Sequence, residues 1–167
     1  MTKQEIEKGF QEIWKLFAET DKKIDKAIGG LTGKWSSFVE GLIAPAVEKL
    51  FKQRGIEVDK IYQRVNAHRN GDEMEVDILA INGEYAVLIE AKSTLKIEDV
   101  NDHIQRLETF KDFFPEYQDK KVIGAVAGIV IEEGADKYAY RNGMYVIGQS
   151  GEAVRILNDK RFKPGVW

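Results

Sequence analysis

The stretch EVDILAINGEYAVLIEAK, Glu75–Lys92, decides how this chain folds, because it reads as a β-hairpin that lines up three carboxylates and a lysine on one face. Asn82-Gly83 separates two apolar-rich runs, and such a pair is a strong hairpin signal, since a type I′ turn needs positive φ at both central residues. A two-residue loop there pairs Ile81 with Glu84, sets Asp77 opposite Leu88 and Glu75 opposite Glu90, and places Asp77, Glu90 and Lys92 on one face by period-two alternation. Asp77 and Glu90 become diagonal neighbours, roughly 7 Å apart at the backbone.

Like charges opposed across a strand pair destabilise the sheet and call for a compensating cation. Lys92 supplies one positive charge. A divalent ion shared by Asp77 and Glu90 supplies the rest, and hard oxygen ligands suit Mg²⁺, with Mn²⁺ as substitute, better than Zn²⁺, whose cysteine partners are absent from the chain. The alternative is a solvated polar face on a half-buried hairpin, where Asp and Glu are ordinary.

Asp77, then twelve residues, then Glu90-Ala91-Lys92 resembles the signature of the PD-(D/E)XK nuclease superfamily, although Val76 stands where that pattern has proline. The likeness spans about residues 34 to 157. It implies a restriction-endonuclease-like α/β fold, with an α-β-β-β-α-β core and a mixed central sheet. It further implies a Mg²⁺-dependent deoxyribonuclease in which Asp77, Glu90 and the backbone carbonyl of Ala91 ligate the ion. Lys92 would then orient or deprotonate the attacking water, and Glu40, on the preceding helix, would complete the site. Glu75 is a further ligand or a salt-bridge partner, and Gln105 matches a position where some members carry an extra polar site residue. For Glu40 the competing explanation is helix capping and dipole stabilisation near a helix start at Ser36 or Ser37.

The 167 residues, 43% hydrophobic and 32% charged, suffice for one α/β core. Without cysteine or a signal-peptide pattern the chain reads as cytoplasmic, and no apolar run approaches the ~18 residues of a membrane span. A net charge of −3 offers nucleic acid no global positive field. DNA affinity would have to come from local groups: Lys49, Lys52, Arg54, Lys60, Arg64, His68 and Arg69, then Lys160, Arg161 and Lys163. The two histidines, His68 and His103, lack metal-ligand or triad spacing and read as surface or core residues, and no phosphate-binding glycine loop supports a nucleotide cofactor.

Around the motif, residues 3 to 28 form a helix whose Ile6, Phe10, Ile13, Phe17, Thr20, Ile24 and Ala27 recur as heptads. This arm, residues 1–30, either forms a coiled coil in a homodimer or lies across its own domain, residues 31–167, with Gly29-Gly30 as the break. A helix from Ser36 to about Gln53, kinked or restarted at Pro45, precedes a strand over residues 56 to 65. A helix from Ile97 to Phe114, a buried parallel strand over 121 to 130, a helix over 133 to 141 and a closing hairpin follow. Beside the nuclease, two further readings stand: a catalytically idle nucleic-acid-binding module, and a helix-mediated assembly protein of the same fold.

Overall fold

Two Asn-Gly pairs punctuate the sheet, and only the first makes a tight turn of positive φ. Asn70 and Gly71 sit at φ 52° and 83° between paired Arg69 and Asp72, as a type I′ turn requires. Asn82 and Gly83 take no positive φ. Instead the Asn82 side-chain oxygen accepts from the amides of Glu84 at 2.8 Å and Tyr85 at 2.5 Å while its own N–H donates to Tyr85 O, so the corner moves to Gly83-Glu84. The expected pairing of Ile81 with Glu84 is therefore replaced by Ile81 with Ala86, and Leu88 faces Leu79 rather than Asp77.

This computed structural model describes residues 2–28, 32–151 and 153–167, with side chains at 18, 20–28 and 32–38 outside the description. Helices α1 (Lys3–Ile28) and α2 (Thr32–Lys52) precede strands β1 (Lys60–Arg69), β2 (Asp72–Ile81) and β3 (Tyr85–Leu95). Helix α3 (Ile97–Phe113), β4 (Lys121–Ile131), α4 (Ala135–Arg141) and the hairpin β5 (Tyr145–Ser150) and β6 (Ala153–Ile156) complete the chain. The six strands lie in sequence order, antiparallel from β1 to β3, parallel from β3 to β5 and antiparallel at β6. This is the expected α-β-β-β-α-β core with a mixed sheet, a long leading helix and a trailing hairpin.

Several boundaries differ from the sequence reading. Helix α2 starts at Thr32 and runs unbroken through Pro45, so Ser36 and Ser37 lie within it and Glu40 is two turns from its start. The first strand begins at Lys60 because the Asn70-Gly71 turn sets its register, while Ile56 tucks into the core after Gly55 at φ 79°. Helix α3 starts where Asp99 Oδ2 accepts the Lys96 N–H at 2.8 Å, and it stops before Pro115.

The sheet separates two cores. On one face Val39, Ile43, Val47, Leu50 and Phe51 of α2 pack against Ile78, Val87, Ile89 and Ala125. On the other, Val100, Leu107 and Phe110 of α3 and Ala135 and Ala139 of α4 cover Val76, Leu79, Leu88 and Val126. Helix α1 lies against α2, β3 and β4 and buries Trp14, the residue after Ile13 of the heptad stripe. Ile6 and Ile13 of the heptad stripe are exposed, and Thr20, Ile24, Ala27 and the Gly29-Gly30 break fall outside the described residues or side chains. Among the described residues no helix is long and apolar enough to cross a membrane.

Candidate metal and nuclease site

The regular pairing of the sheet breaks around Asp77 on both sides. Toward β1, the register brings Arg64 opposite Asp77, yet the ladder skips that pair because Arg64 takes φ 53°, a left-handed conformation costly for a side-chain-bearing residue. Toward β3, the paired positions end at Ile78 and Ile89. The distortion rotates the strand: Val76 faces the α3 core and Ile78 the α2 core, two residues apart where regular alternation would keep one face. Asp77 thus occupies a gap through which groups from both layers meet.

In that gap Asp77 Oδ2 accepts the Ala91 N–H at 3.0 Å, taking the place of a ladder carbonyl. An extended residue sends its N–H and C=O to the same edge, so the Ala91 carbonyl also points toward the opened side of β2. Glu90 is buried, and the Asp77 charge reaches its carboxyl. The strand slip relative to the expected register is two residues, and the paired positions end at Ile78 and Ile89, just before Asp77 and Glu90. Glu75 does not face Glu90; it pairs with Asn66 of β1 and is exposed.

Cations from three elements hold the carboxylates. Arg106 Nη1 on α3 donates to Glu90 Oε2 at 3.0 Å, and Lys92 Nζ lies 3.6 Å from Glu90 Oε1. Arg64 Nε donates to Glu40 Oε2 at 3.2 Å. Burial pushes the Glu90 carboxyl up to about 7, the Asp77 charge adds to this, and Arg106 and Lys92 oppose it. Glu40, 2% exposed, is likewise pushed up to about 7, first by burial and then by Asp77 and more weakly Glu75, against the pull of Arg64. Its depth in α2 and its arginine partner remove helix capping as the reason for an acid there.

These values carry a pH signature. The folded Glu90 carboxyl lies above its ordinary 4.5, so the folded state retains a proton that the unfolded chain has lost between those values. Its contribution is full below about 4.5 and is lost as pH rises through about 7. In buffer with chelator, the melting temperature of the wild type is expected to fall from pH 5 to pH 8. Glu90→Gln should flatten that slope, Glu40 retaining part of it; parallel slopes in thermal melts would contradict the assignment.

The sequence reading missed Arg106 and His103 as members of the site. They share one face of α3, three residues apart, while Gln105 turns to solvent. His103 is fully buried, its Nε2 3.0 Å from Leu88 O and its Nδ1 2.9 Å from Arg106 Nη1. A carbonyl only accepts, so Nε2 carries the proton and Nδ1 accepts from the guanidinium. Burial, and secondarily Arg106, push the imidazole down to about 3, which keeps it neutral. A helical position facing the sheet next to an ExK strand is the one signal that could have singled out these residues.

Two of the other basic residues named as nucleic-acid contacts, Arg54 and Arg69, serve the fold. Arg54 donates to the carbonyls of Asn158 and Asp159, and Arg69 to that of Asp112. Lys49, Lys52, Lys60, His68, Lys160, Arg161 and Lys163 are exposed.

Among the described residues no group of three His, Cys, Asp or Glu side chains converges with spacing to hold a metal ion. Asp77 accepts the Ala91 N–H, and the oxygens of Glu90 face Arg106 and Lys92. These are hard oxygen donors, the type a hard divalent cation takes, and the two flanking cations compete for them.

Among solved structures, the chain is similar to a protein of unknown function, AF1548, with TM-score 0.46 and 19% identity over 74% of this chain and 62% of that one. It is also similar to a repair endonuclease from Pyrococcus abyssi, with TM-score 0.46 and 20% identity over 67% of this chain and 47% of that one. The small subunit of the heterodimeric restriction endonuclease R.BspD6I matches with TM-score 0.38 and 13% identity over 81% and 71% of the two chains. The chain thus spans less than two thirds of the first two. No curated protein matches. A family profile described as "Domain of unknown function (DUF8196)" matches residues 44–156, a span that holds Asp77, Glu90, Lys92 and Arg106 but not Glu40, and the chain belongs to that family.

Proposed function

We propose that the chain is a metal-dependent endonuclease of the PD-(D/E)XK superfamily that hydrolyses DNA phosphodiester bonds with Mg²⁺, or Mn²⁺ in its place. The observation that carries this reading is Asp77 in an opened strand gap, accepting the Ala91 N–H beside the buried Glu90, with Lys92 3.6 Å from Glu90. Burial and the Asp77 charge raise the Glu90 carboxyl against the pull of Arg106 and Lys92, and a divalent cation would relieve what remains.

Asp77, Glu90 and the Ala91 carbonyl would hold the ion, with Glu40 reaching it through the Asp77 side of the gap. When bound, the ion supplies a Lewis acid for the phosphoryl oxygens and a water of lowered pKa. Lys92, whose side chain is 36% exposed, stands at the rim, where its ammonium orients the attacking water and balances charge on the phosphate. Arg106 and Arg64 keep Glu90 and Glu40 in place. Lys49, Lys52 and Lys60 offer positive charge to a DNA backbone.

The test is nicking of supercoiled plasmid with Mn²⁺, comparing the wild type with Asp77→Asn. Equal activity in the two would assign the cleavage to a contaminant.

A second proposal concerns assembly. Ile6 is 47% and Ile13 68% exposed one heptad apart on α1, an apolar stripe that a second copy of the helix would cover in a homodimer. Light scattering should find a dimer for the wild type and a monomer for the double variant Ile6→Glu, Ile13→Glu. A monomeric wild type ends the idea.

A further inference from the structure

Helix α4 is short, and the sheet beyond it is left partly uncovered. Its seven residues pack on β4 and β5 through Ala135 and Ala139, and β6 stops at Ile156. The next residue, Leu157, lies over Gly148 of β5, where a Cβ would come within 2.8 Å of Leu157 Cδ1. Leu157 nonetheless keeps 43% of its surface exposed. A cavity of about 330 Å³ opens between this leucine and α4, its mostly apolar lining including Val146, Leu157 and Tyr140. Tyr140 is held in place: its hydroxyl donates to Asp159 Oδ1 at 2.8 Å, and its ring stands edge-on to Phe162 at 4.9 Å.

The polar part of the lining points to one class of occupant. Lys137 and Arg141 lie one helical turn apart on α4, both exposed, and both line the cavity with a single acid, Asp136, beside them. Asn158, only 6% exposed, lines it too. Its Oδ1 accepts the Val146 N–H at 2.7 Å and its Nδ2 donates to Met144 O at 3.1 Å, which fixes the orientation of the amide. The second Nδ2 hydrogen has no partner among the described residues, and a buried donor left unused calls for an acceptor.

We infer that this cavity binds a small organic anion, an apolar ring that carries a carboxylate, sulfonate or phosphate group. Its volume lies at the small end of ligand pockets, roughly 300–1,000 Å³, and suits one such molecule. The ring covers the apolar surface that Leu157 leaves in water, the Asn158 N–H meets an acceptor, and Lys137 and Arg141 meet the anionic group. No residue of this lining belongs to the Asp77 gap, so the inference stands apart from the nuclease reading.

The experiment is a fluorescence titration of the full chain with anilinonaphthalene sulfonate, an aromatic anion, with amide NMR to locate the probe. The wild type should show a saturable site, with shifts at Lys137, Arg141, Val146 and Leu157. Lys137→Gln and Arg141→Gln should each weaken binding by roughly two- to fivefold, the size of one exposed ion pair, and Asp136→Asn should strengthen it by a similar factor. Leu157→Trp fills the cavity from an exposed position and should weaken binding by about tenfold or more. Inorganic phosphate, which has the charge without the ring, should not displace the probe. Shifts confined to other surfaces, charge variants that leave the affinity unchanged, or displacement by phosphate would each overturn the inference. Should Leu157→Trp fail to fold, the three charge variants decide by the same criterion.

Discussion

Asp77→Asn is expected to lower Mn²⁺-dependent nicking of supercoiled plasmid by about a thousandfold or more while leaving the circular dichroism spectrum unchanged. The side chain has two duties, and the substitution separates them. Its oxygen accepts the Ala91 N–H at 3.0 Å, and asparagine keeps an acceptor for that bond. Its charge raises the Glu90 and Glu40 carboxyls, and asparagine lacks it. An ion held by a carboxylate contributes several kcal/mol of transition-state stabilisation, and about 4 kcal/mol corresponds to about a thousandfold in rate. Alanine would remove both duties and confound the result with loosening of the gap. Nicking by Asp77→Asn within a factor of a few of the wild type would sink the nuclease proposal.

Phe51→Ala is expected to cost about 3–5 kcal/mol, and with it roughly 6–20 °C in melting temperature for a chain of this size. Phe51 is fully buried at the end of α2, its ring edge-on to Tyr145 at 5.4 Å. Tyr145 in turn meets Phe162 at 4.8 Å, and Arg54 lies 5.8 Å over its ring while bonding the carbonyls of Asn158 and Asp159. Removing Phe51 leaves a cavity where α2, β5 and the segment after β6 join, and three aromatic or charged neighbours with fixed partners cannot collapse into it. Thermal and urea unfolding by circular dichroism measure the cost. A loss under about 1 kcal/mol would show that the junction repacks. Glu40 lies three turns earlier on α2, far from the cavity along the helix, so its pairing with Arg64 should persist in the folded fraction.

The order of helices and strands was legible because each has its own periodicity, and the long runs, Lys3–Ile28, Ile97–Phe113 and Lys121–Ile131, lie within a residue of where the pattern sets them. The turns were harder. Asn70-Gly71 and Asn82-Gly83 are identical dipeptides, and nothing local says which will adopt positive φ; at the second, the Asn82 side chain captured two amides and moved the corner by one residue. The two-residue slip by itself keeps the faces of β2, but the break at Asp77 does not, since Val76 and Ile78 face opposite cores. The break in the ladder at Arg64 was not legible, since an arginine in a strand announces no left-handed φ. Arg106 and His103 escaped for a different reason: their role depends on which side of α3 meets β3, and apolar periodicity marks that side only through its neutral residues. On α1, Ile6 and Ile13 of the heptad stripe are exposed while Trp14, one residue past Ile13, is buried, and apolar spacing alone does not say which of them its own domain covers.

The opening beside Asp77 draws Glu40 from the helix on one side of the sheet and Glu90, with its arginine, from the other. No single layer contains the constellation. A partly folded chain with α2 detached lacks one acid, and one with α3 detached loses the arginine that holds another. On the proposed reading, competence is in this way tied to completion of the tertiary structure, since a half-assembled molecule lacks part of the constellation.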